Sequence, residues 1–333
     1  MDPAQLYRDL GCKPVINAAG NQTIIGGSRV SPAVQEAMIA ANRHYVDMRQ
    51  LFMQTGETIA ELVGSEAAFV TPGCGAALAL SAAACMSVGD PAKMEQLPDT
   101  RGISNDILFQ ARQHYHYERC LTIFGGSLVV VGDDQGTSRD QLEAAIGEAT
   151  AAIHFYASGD EDPSILDLED VVEIADKHGI PVIVDAAAQS FVIRSIVAAG
   201  VDLAICSGHK YLSGTTAGVV AGSRDLVRAV SMQNRGIGRP MKVGKEGIVG
   251  VIAALEHRMG LDVEAWQAQQ DRKMNLIIER LSGMEGIAMK AEPDPNGNPF
   301  SRARMDVDAP TTGISAAALS RAMADGEPSI RLR

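Results

Sequence analysis

Lys210 stands next to an apolar stretch of the sequence, where water would hydrate a charged ammonium group poorly. It follows the mostly apolar residues 201–205 and stands in a run rich in glycine, serine and threonine that spans residues 206–218. We predict a strand that leads into an irregular loop. Because desolvation favours the neutral amine, such a lysine can form a Schiff base with an aldehyde, and the flanking hydroxyl and N–H groups could hold a phosphate. A lysine in a surface loop would explain the same short pattern.

A carboxylate, Asp185, is expected at the end of a second strand. Residues 181–184 are apolar and mostly β-branched, which is typical of a strand that is buried on both faces of a parallel sheet. Open α/β sheets bind ligands at the carboxyl ends of their strands. The spacing of 25 residues between Asp185 and Lys210 leaves room for one helix and one strand. The two groups are therefore expected on neighbouring strand ends. There the carboxylate could hold the ring nitrogen of pyridoxal phosphate and keep the ring an electron sink.

These residues carry a resemblance to a known family. Residues 184–189 together with residues 207–210 resemble the fold-type I pyridoxal-phosphate (PLP) enzymes. Within them the chain looks most like the group related to selenocysteine synthase (L-seryl-tRNA selenium transferase), close to proteins of the D-glucosaminate-6-phosphate ammonia-lyase type. Residues 14–20, 26–32 and 238–246 fit the same group. The implied fold class is α/β, with a mostly parallel doubly wound sheet and a small α+β C-terminal domain.

The resemblance implies roles for individual residues. Lys210 would bind pyridoxal 5'-phosphate as a Schiff base and remove a proton from the substrate, Asp185 would keep the ring protonated, and His209 would pack by the cofactor or shuttle a proton. These three residues are the expected catalytic set and also contact the cofactor. The other expected cofactor-binding residues are Gly73, Cys74, Gly75, Ala76, Gln113, His114, Gln189 and Ser207. Of these, the glycine-rich turn at 73–76 could equally serve close packing alone.

A basic segment near residues 234–247 is the densest positive cluster of the chain and is a candidate anion site. The candidate substrate-binding residues are Asn17, Arg239, Lys242, Lys245 and Arg331. The alternative for the cluster is a solvated basic loop, and an arginine on an exposed strand face would explain Arg331 equally well. No metal site is predicted, because the five cysteines show no CxxC spacing.

The predicted function is a PLP-dependent lyase, an ammonia-lyase or dehydratase. It would form a carbanion from a hydroxy-amino acid or amino-sugar acid and release a 2-keto acid. One alternative is a PLP-dependent transferase, either similar to seryl-tRNA selenium transferase or an aminotransferase or racemase. Another is a non-catalytic relative that keeps the fold. The formal net charge of −12 disfavours binding to nucleic acid.

Composition and patterning set the remaining expectations. The chain has 333 residues, of which 46% are hydrophobic, and it contains neither an apolar run of membrane-spanning length nor a signal-peptide pattern. We expect a cytoplasmic protein with reduced cysteines. Expected domains are an N-terminal arm (1–50), a large PLP-binding domain (51–245) and a small domain (246–333) that looks truncated or shortened. We also expect a homodimer or higher homo-oligomer with shared active sites, because the arm in this family reaches the neighbouring subunit.

Overall fold

The computed structural model describes residues 4–159 and 162–333. Residues 29–260 form one compact unit, and the described residues before 29 form a second unit with residues 261–333. The domain boundaries expected after residues 50 and 245 stay predictions. No helix in the described residues has both the length and the apolar character needed to cross a membrane.

The strands in the described residues are short. They are β1 (Val15–Asn17), β2 (Ala67–Thr71), β3 (Asp106–Gln110), β4 (Ser127–Val131), β5 (Thr150–Tyr156), β6 (Val182–Asp185), β7 (Leu203–Ser207), β8 (Gly218–Gly222), β9 (Ile287–Pro293), β10 (Ser301–Val307) and β11 (Ser329–Arg331).

The helices in the described residues are more varied in length. They are α1 (Gln5–Asp9), α2 (Pro32–Asn42), α3 (Met48–Val63), α4 (Cys74–Ser87), α5 (Pro91–Gln96), α6 (Arg139–Ala145), α7 (Leu168–His178), α8 (Ile193–Ala198), α9 (Arg224–Met232), α10 (Lys245–Met259), α11 (Val263–Leu281), α12 (Ala309–Thr312) and α13 (Ala316–Asp325).

The larger unit is built on a seven-stranded sheet in the order β2-β8-β7-β6-β5-β3-β4. Strand β8 is antiparallel to both of its neighbours, and the other neighbouring pairs are parallel. The two strands predicted to carry the functional groups, β6 and β7, are adjacent, and Asp185 pairs with Ile205 across them. The expected mostly parallel α/β sheet is therefore confirmed, and the two strands end side by side.

Alternating strand residues build a core on each face of this sheet. Val70 and Leu108 belong to one buried apolar cluster, whereas their chain neighbours Phe69 and Ile107 belong to the other. Successive side chains of a strand point to opposite faces, so this division shows that both faces of the sheet are covered. Burial on both faces explains why the central strands contain so few polar residues.

Local signals set several helix ends. Ser31 accepts a hydrogen bond from the Val34 N–H at the start of α2, where Pro32 is the first helical residue. Helix α7 ends at Gly179, whose φ of 66° lies in the left-handed region that glycine adopts without strain. The sequence predicts a helix over residues 78–86 after the glycine-rich turn, but α4 begins at Cys74, one turn earlier, so the predicted start is wrong. The small residues of α4 let the whole helix pack closely against the sheet.

The smaller unit contains two two-stranded sheets. Strands β9 and β10 are antiparallel, and Ile287 pairs with Val307. Strands β1 and β11 are parallel, and Asn17 pairs with Arg331. This second pairing joins residues from opposite ends of the chain.

Candidate active site

The Asp185 carboxylate is buried at the carboxyl end of β6 and receives two hydrogen bonds. Its Oδ1 accepts from the Ala187 N–H at 3.0 Å, and its Oδ2 accepts from the Tyr115 hydroxyl at 2.7 Å. The first bond comes from the turn that follows β6, and the second comes from the segment after β3. A buried carboxylate needs such donors, and these two fix its orientation at the sheet edge.

Lys210 stands in a loop that backbone hydrogen bonds close between β7 and β8. The Gly208 N–H donates to the Ala217 carbonyl at 2.8 Å, and the Gly214 N–H donates to the Gly208 carbonyl at 2.7 Å. The Ser213 N–H donates to the Lys210 carbonyl at 3.1 Å. Ser213 has a φ of 59°, a left-handed conformation that is uncommon for residues other than glycine. The lysine is thus held on a defined turn beside the strand that carries Asp185.

The glycine-rich turn lies beside this loop. Helix α4 begins at Cys74, and no side chain caps its start. The first N–H groups of a helix have no intrahelical acceptor, so together with the helix dipole they can bind an anion. Ser207, at the end of β7, pairs with Gly218 on β8, and the Thr71 hydroxyl at the end of β2 donates to the Gly218 carbonyl at 3.2 Å. Burial, followed by the charge of Asp185, raises the pKa of the Cys74 thiol. The turn, the end of β7 and Asp185 therefore surround a common space.

Two of the other predicted cofactor residues make defined contacts in the larger unit. His209 lies 3.4 Å from the Ser207 hydroxyl through its Nδ1, and burial, together with the charge of Lys210, lowers the His209 pKa. Gln189 is buried and donates to the Ala157 carbonyl at 3.1 Å, which links the turn after β6 to the end of β5. Direct contact of either residue with a cofactor stays a prediction.

The two candidates from the segment after β3 differ in their surroundings. Gln113 is buried and bonds the backbone of Tyr156 twice, donating to its carbonyl at 3.2 Å and accepting from its N–H at 3.3 Å. His114 is exposed, lies 3.0 Å from the Glu118 carboxylate, and packs edge-on against Phe109. The side-chain amide of Gln113 is therefore hydrogen-bonded to the end of β5. A ring-stacking role for either residue stays a prediction.

The predicted substrate residues fall in both units. In the larger unit, Arg239 and Lys242 are exposed, whereas Lys245 donates from its Nζ to the Ala41 carbonyl at 2.8 Å, at the C-terminal end of α2. In the smaller unit, Asn17 closes its own turn by accepting from the Ala19 N–H at 2.9 Å, and Arg331 is its partner across β1 and β11. Substrate contact by any of the five stays a prediction.

Sequence reasoning missed a cluster of aromatic and histidine side chains beside Asp185. The Tyr115 ring stacks on Tyr156 with centroids 4.1 Å apart and an interplanar angle of 2°. Its hydroxyl lies 3.1 Å from the His154 Nε2. Burial lowers the pKa of His154 to about 4, although the charge of Asp185 opposes this, so the ring is neutral at pH 7. A histidine inside the otherwise apolar run of β5 was the available signal.

Arg258 was also missed. It lies near the end of α10, donates from Nη2 to the Tyr211 carbonyl, and its guanidinium stands 3.8 Å above the centre of the Phe191 ring. Burial lowers its pKa to about 10. One arginine thus contacts both the lysine loop and the turn that follows β6.

These residues suit a phosphate-bearing pyridine aldehyde. The lysine can bind the aldehyde, the oriented buried carboxylate suits a protonated ring nitrogen, and the uncapped start of α4 beside Ser207 suits a phosphate. The observed donor set therefore agrees with the cofactor expected from the sequence.

Comparison with known proteins supports this fit. Residues 44–246 match the family model described as Cys/Met metabolism PLP-dependent enzyme. A 5'-C-glycyluridine monooxygenase-decarboxylase from a Streptomyces species is 36% identical over 98% of this chain and 84% of its own. A D-glucosaminate-6-phosphate ammonia lyase from Salmonella typhimurium is 34% identical over 98% of this chain and 89% of its own.

Two further relatives complete the comparison. A solved structure of D-glucosaminate-6-phosphate ammonia-lyase has a TM-score of 0.90 and 33% identity, and the match covers 100% of this chain and 90% of that one. An L-seryl-tRNA(Sec) selenium transferase from Moorella thermoacetica is 26% identical over 76% of this chain and 59% of its own. These matches confirm the predicted resemblance, the fold class, pyridoxal phosphate as cofactor, and lyase chemistry as the predicted enzyme class. The chain therefore belongs to the PLP-dependent enzymes of the Cys/Met metabolism family.

Proposed function

We propose that this enzyme is an ammonia lyase that acts on a 2-amino-3-hydroxy acid with a sugar-acid chain, releasing ammonia and a 2-keto-3-deoxy acid. The observation that carries the proposal is the match to D-glucosaminate-6-phosphate ammonia-lyase over the full chain at a TM-score of 0.90. The reaction balances without an oxidant: the α-proton and the β-hydroxyl leave, and the resulting enamine takes up water and loses ammonia.

Named residues would carry the acid–base work. Pyridoxal phosphate supplies the electron sink for the electron pair that remains when the α-proton is removed. The Lys210 Nζ is the base proposed to take that proton. Asp185 would hold the ring nitrogen, and Ser207 with the start of α4 would hold the phosphate. His209, half-buried and with a lowered pKa, is placed to accept or return a proton as a neutral imidazole.

The substrate class follows from a feature that the named substrates of the relatives share. D-glucosaminate carries an amino group and a hydroxyl on adjacent carbons, as serine does in seryl-tRNA. A hydroxyl on the β-carbon is the leaving group that an elimination requires. The exposed Arg239 and Lys242 are the proposed contacts for the distal anionic end of the substrate. Lys245, Asn17 and Arg331 remain further proposed substrate contacts.

The test supplies D-glucosaminate and its 6-phosphate to the PLP-loaded enzyme under nitrogen and measures ammonia and keto acid. We expect both products in equal amounts. Lys210→Ala should lower the rate about 100-fold or more, because it removes the proposed base. Lys177→Ala serves as the matched control, since Lys177 pairs with Glu143 on the surface. If no 2-amino-3-hydroxy acid yields ammonia, the proposed reaction is wrong.

A second candidate is suggested by the relative from Streptomyces, whose name describes an oxygen-dependent decarboxylation. It is 36% identical over nearly the whole chain. Such a reaction would consume oxygen and release carbon dioxide, whereas the ammonia lyase needs no oxygen. Repeating the assay in air with an oxygen electrode distinguishes the two: activity that appears only in air, together with carbon dioxide release, would favour the second candidate.

We further propose that the enzyme is a cytoplasmic homo-oligomer. All five cysteines lie in the described residues and are free thiols, which suits a reducing compartment. Tyr45 and Met53, before and within α3, are exposed apolar side chains that a second copy of the chain could cover. Light scattering of the purified protein at micromolar concentration tests the oligomer, and a monomer under those conditions would contradict it.

A further inference from the structure

Tyr115 links three elements of the active site. Its hydroxyl contacts Asp185 at the end of β6 and His154 on β5, and its ring lies between Tyr156 and His154. The ring stacks on Tyr156 at 4.1 Å and on His154 at 5.7 Å, with interplanar angles of 2° and 17°. Gln113 in turn holds the backbone of Tyr156 through two hydrogen bonds. Both the contacts of the hydroxyl and the stacking of the ring therefore hold the Tyr115 hydroxyl in place.

The number of available protons assigns a direction to this chain of hydrogen bonds. A tyrosine hydroxyl has one proton, and a carboxylate can only accept. The short bond of 2.7 Å to Asp185 Oδ2 therefore uses the Tyr115 proton. The same oxygen must then accept from His154 Nε2 at 3.1 Å, which assigns the ring proton of the neutral histidine to Nε2. The donors run from His154 through Tyr115 to Asp185.

The environment keeps this arrangement intact near neutral pH. Burial and the Asp185 charge raise the pKa of Tyr115 far above its ordinary value, so the hydroxyl keeps its proton. Burial lowers the pKa of His154 to about 4, so the imidazole keeps one proton only. Near neutral pH the carboxylate therefore has the Tyr115 hydroxyl as a donor at Oδ2.

We propose that Tyr115 is a positioning residue for the cofactor. Its hydroxyl, held by His154, fixes the Asp185 carboxylate in the orientation that receives the ring nitrogen. The inference rests on pyridoxal phosphate as cofactor and not on the identity of the substrate, so it stands or falls separately from the proposed ammonia-lyase reaction.

The first test compares Tyr115→Phe with wild type in equilibrium binding of pyridoxal phosphate. The substitution keeps the stacked ring and removes only the hydroxyl. We expect cofactor binding to weaken about tenfold, because a tenfold change in affinity corresponds to the free energy of one hydrogen bond to a charged group. Tyr117→Phe is the matched control, because Tyr117 lies on the same segment and is exposed. Equal or tighter binding by Tyr115→Phe would overturn the proposal. Tighter binding would show instead that the hydroxyl competes with the ring nitrogen for Asp185.

A cofactor analogue separates positioning from a general structural role. In the 1-deaza analogue of pyridoxal phosphate, carbon replaces the ring nitrogen, so Asp185 has no ring N–H to hold. If Tyr115 acts through Asp185, Tyr115→Phe should bind this analogue as tightly as wild type does. An equal loss of affinity for the analogue and for pyridoxal phosphate would show a structural defect and refute the positioning role.

His154→Phe tests the same chain from its other end. It removes the donor to Tyr115, and we expect about threefold weaker cofactor binding, the effect of one neutral hydrogen bond. Because His154 acts through Tyr115, the double variant should bind as Tyr115→Phe does. Losses of cofactor affinity that add in the double variant would contradict a chain of hydrogen bonds from His154 through Tyr115 to Asp185. Should Tyr115→Phe fail to fold, His154→Phe still decides, since unchanged binding by that protein would refute the proposal.

Discussion

The buried His154 should make the protein lose stability as the pH falls from neutral. Its folded-state pKa of about 4 lies below the ordinary value of 6.5, because burial disfavours the charged ring. The unfolded chain therefore binds the proton more readily than the folded chain does. The stabilising contribution of the neutral histidine is complete above pH 6.5 and is lost as the pH decreases towards 4.

The two pKa values set the size of the effect. Linkage between protonation and unfolding gives a loss of about 2 kcal/mol in the free energy of unfolding between pH 7 and pH 5 from this one residue. Carboxylates also become protonated at lower pH and lower the free energy of unfolding further. Wild type must therefore be compared with a variant that lacks only the titration of His154. His154→Phe keeps an aromatic ring in β5 and has no ionisable group.

The assay is urea unfolding of the unloaded protein at pH 7 and pH 5, followed by circular dichroism. We expect wild type to lose about 2 kcal/mol more than His154→Phe does over this interval. His44→Gln serves as the control, because it replaces an exposed histidine and should keep the wild-type pH dependence. Equal pH dependence of wild type and His154→Phe would refute the reasoning, since the buried ring would then titrate as it does in water.

Two further substitutions test the packing around the site. A Cβ added at Gly218 would lie 2.7 Å from the backbone carbonyl carbon of Gly73, so Gly218→Ala should displace the turn at the start of α4 and weaken equilibrium binding of pyridoxal phosphate about tenfold or more. A Cβ at Gly147 would meet no atom within 4 Å, so Gly147→Ala is the control and should bind the cofactor as wild type does. Arg258→Leu removes the donor to the Tyr211 carbonyl, so it should cost about 1–3 kcal/mol of stability and speed amide hydrogen exchange in residues 208–217. Unchanged exchange in that loop would show that Arg258 does not hold it.

Much of the local structure could be predicted from the sequence, because the decisive interactions are local. The sequence predicts a strand at Gly218–Gly222 and helices at Leu168–His178 and Val263–Leu281, and β8, α7 and α11 have these bounds. Ser31 caps α2, and Gly179 ends α7. The adjacency of the Asp185 and Lys210 strands was also expected, since a helix and a strand fit between them. Apolar periodicity, caps and spacing each depend on only a few neighbouring residues.

Other features depend on the tertiary structure. The pairing of β8 with β2 and the pairing of Asn17 with Arg331 join segments far apart in the chain, and no local pattern specifies such pairs. Tyr115, which donates to Asp185, and His154, which contacts Tyr115, likewise lie far from Asp185 in the chain, so neither could be assigned to it from sequence. The sequence determined which residues could hold the cofactor. The folded sheet brings separate strand ends together. Only this tertiary arrangement decided which side chains orient the residues that could hold the cofactor.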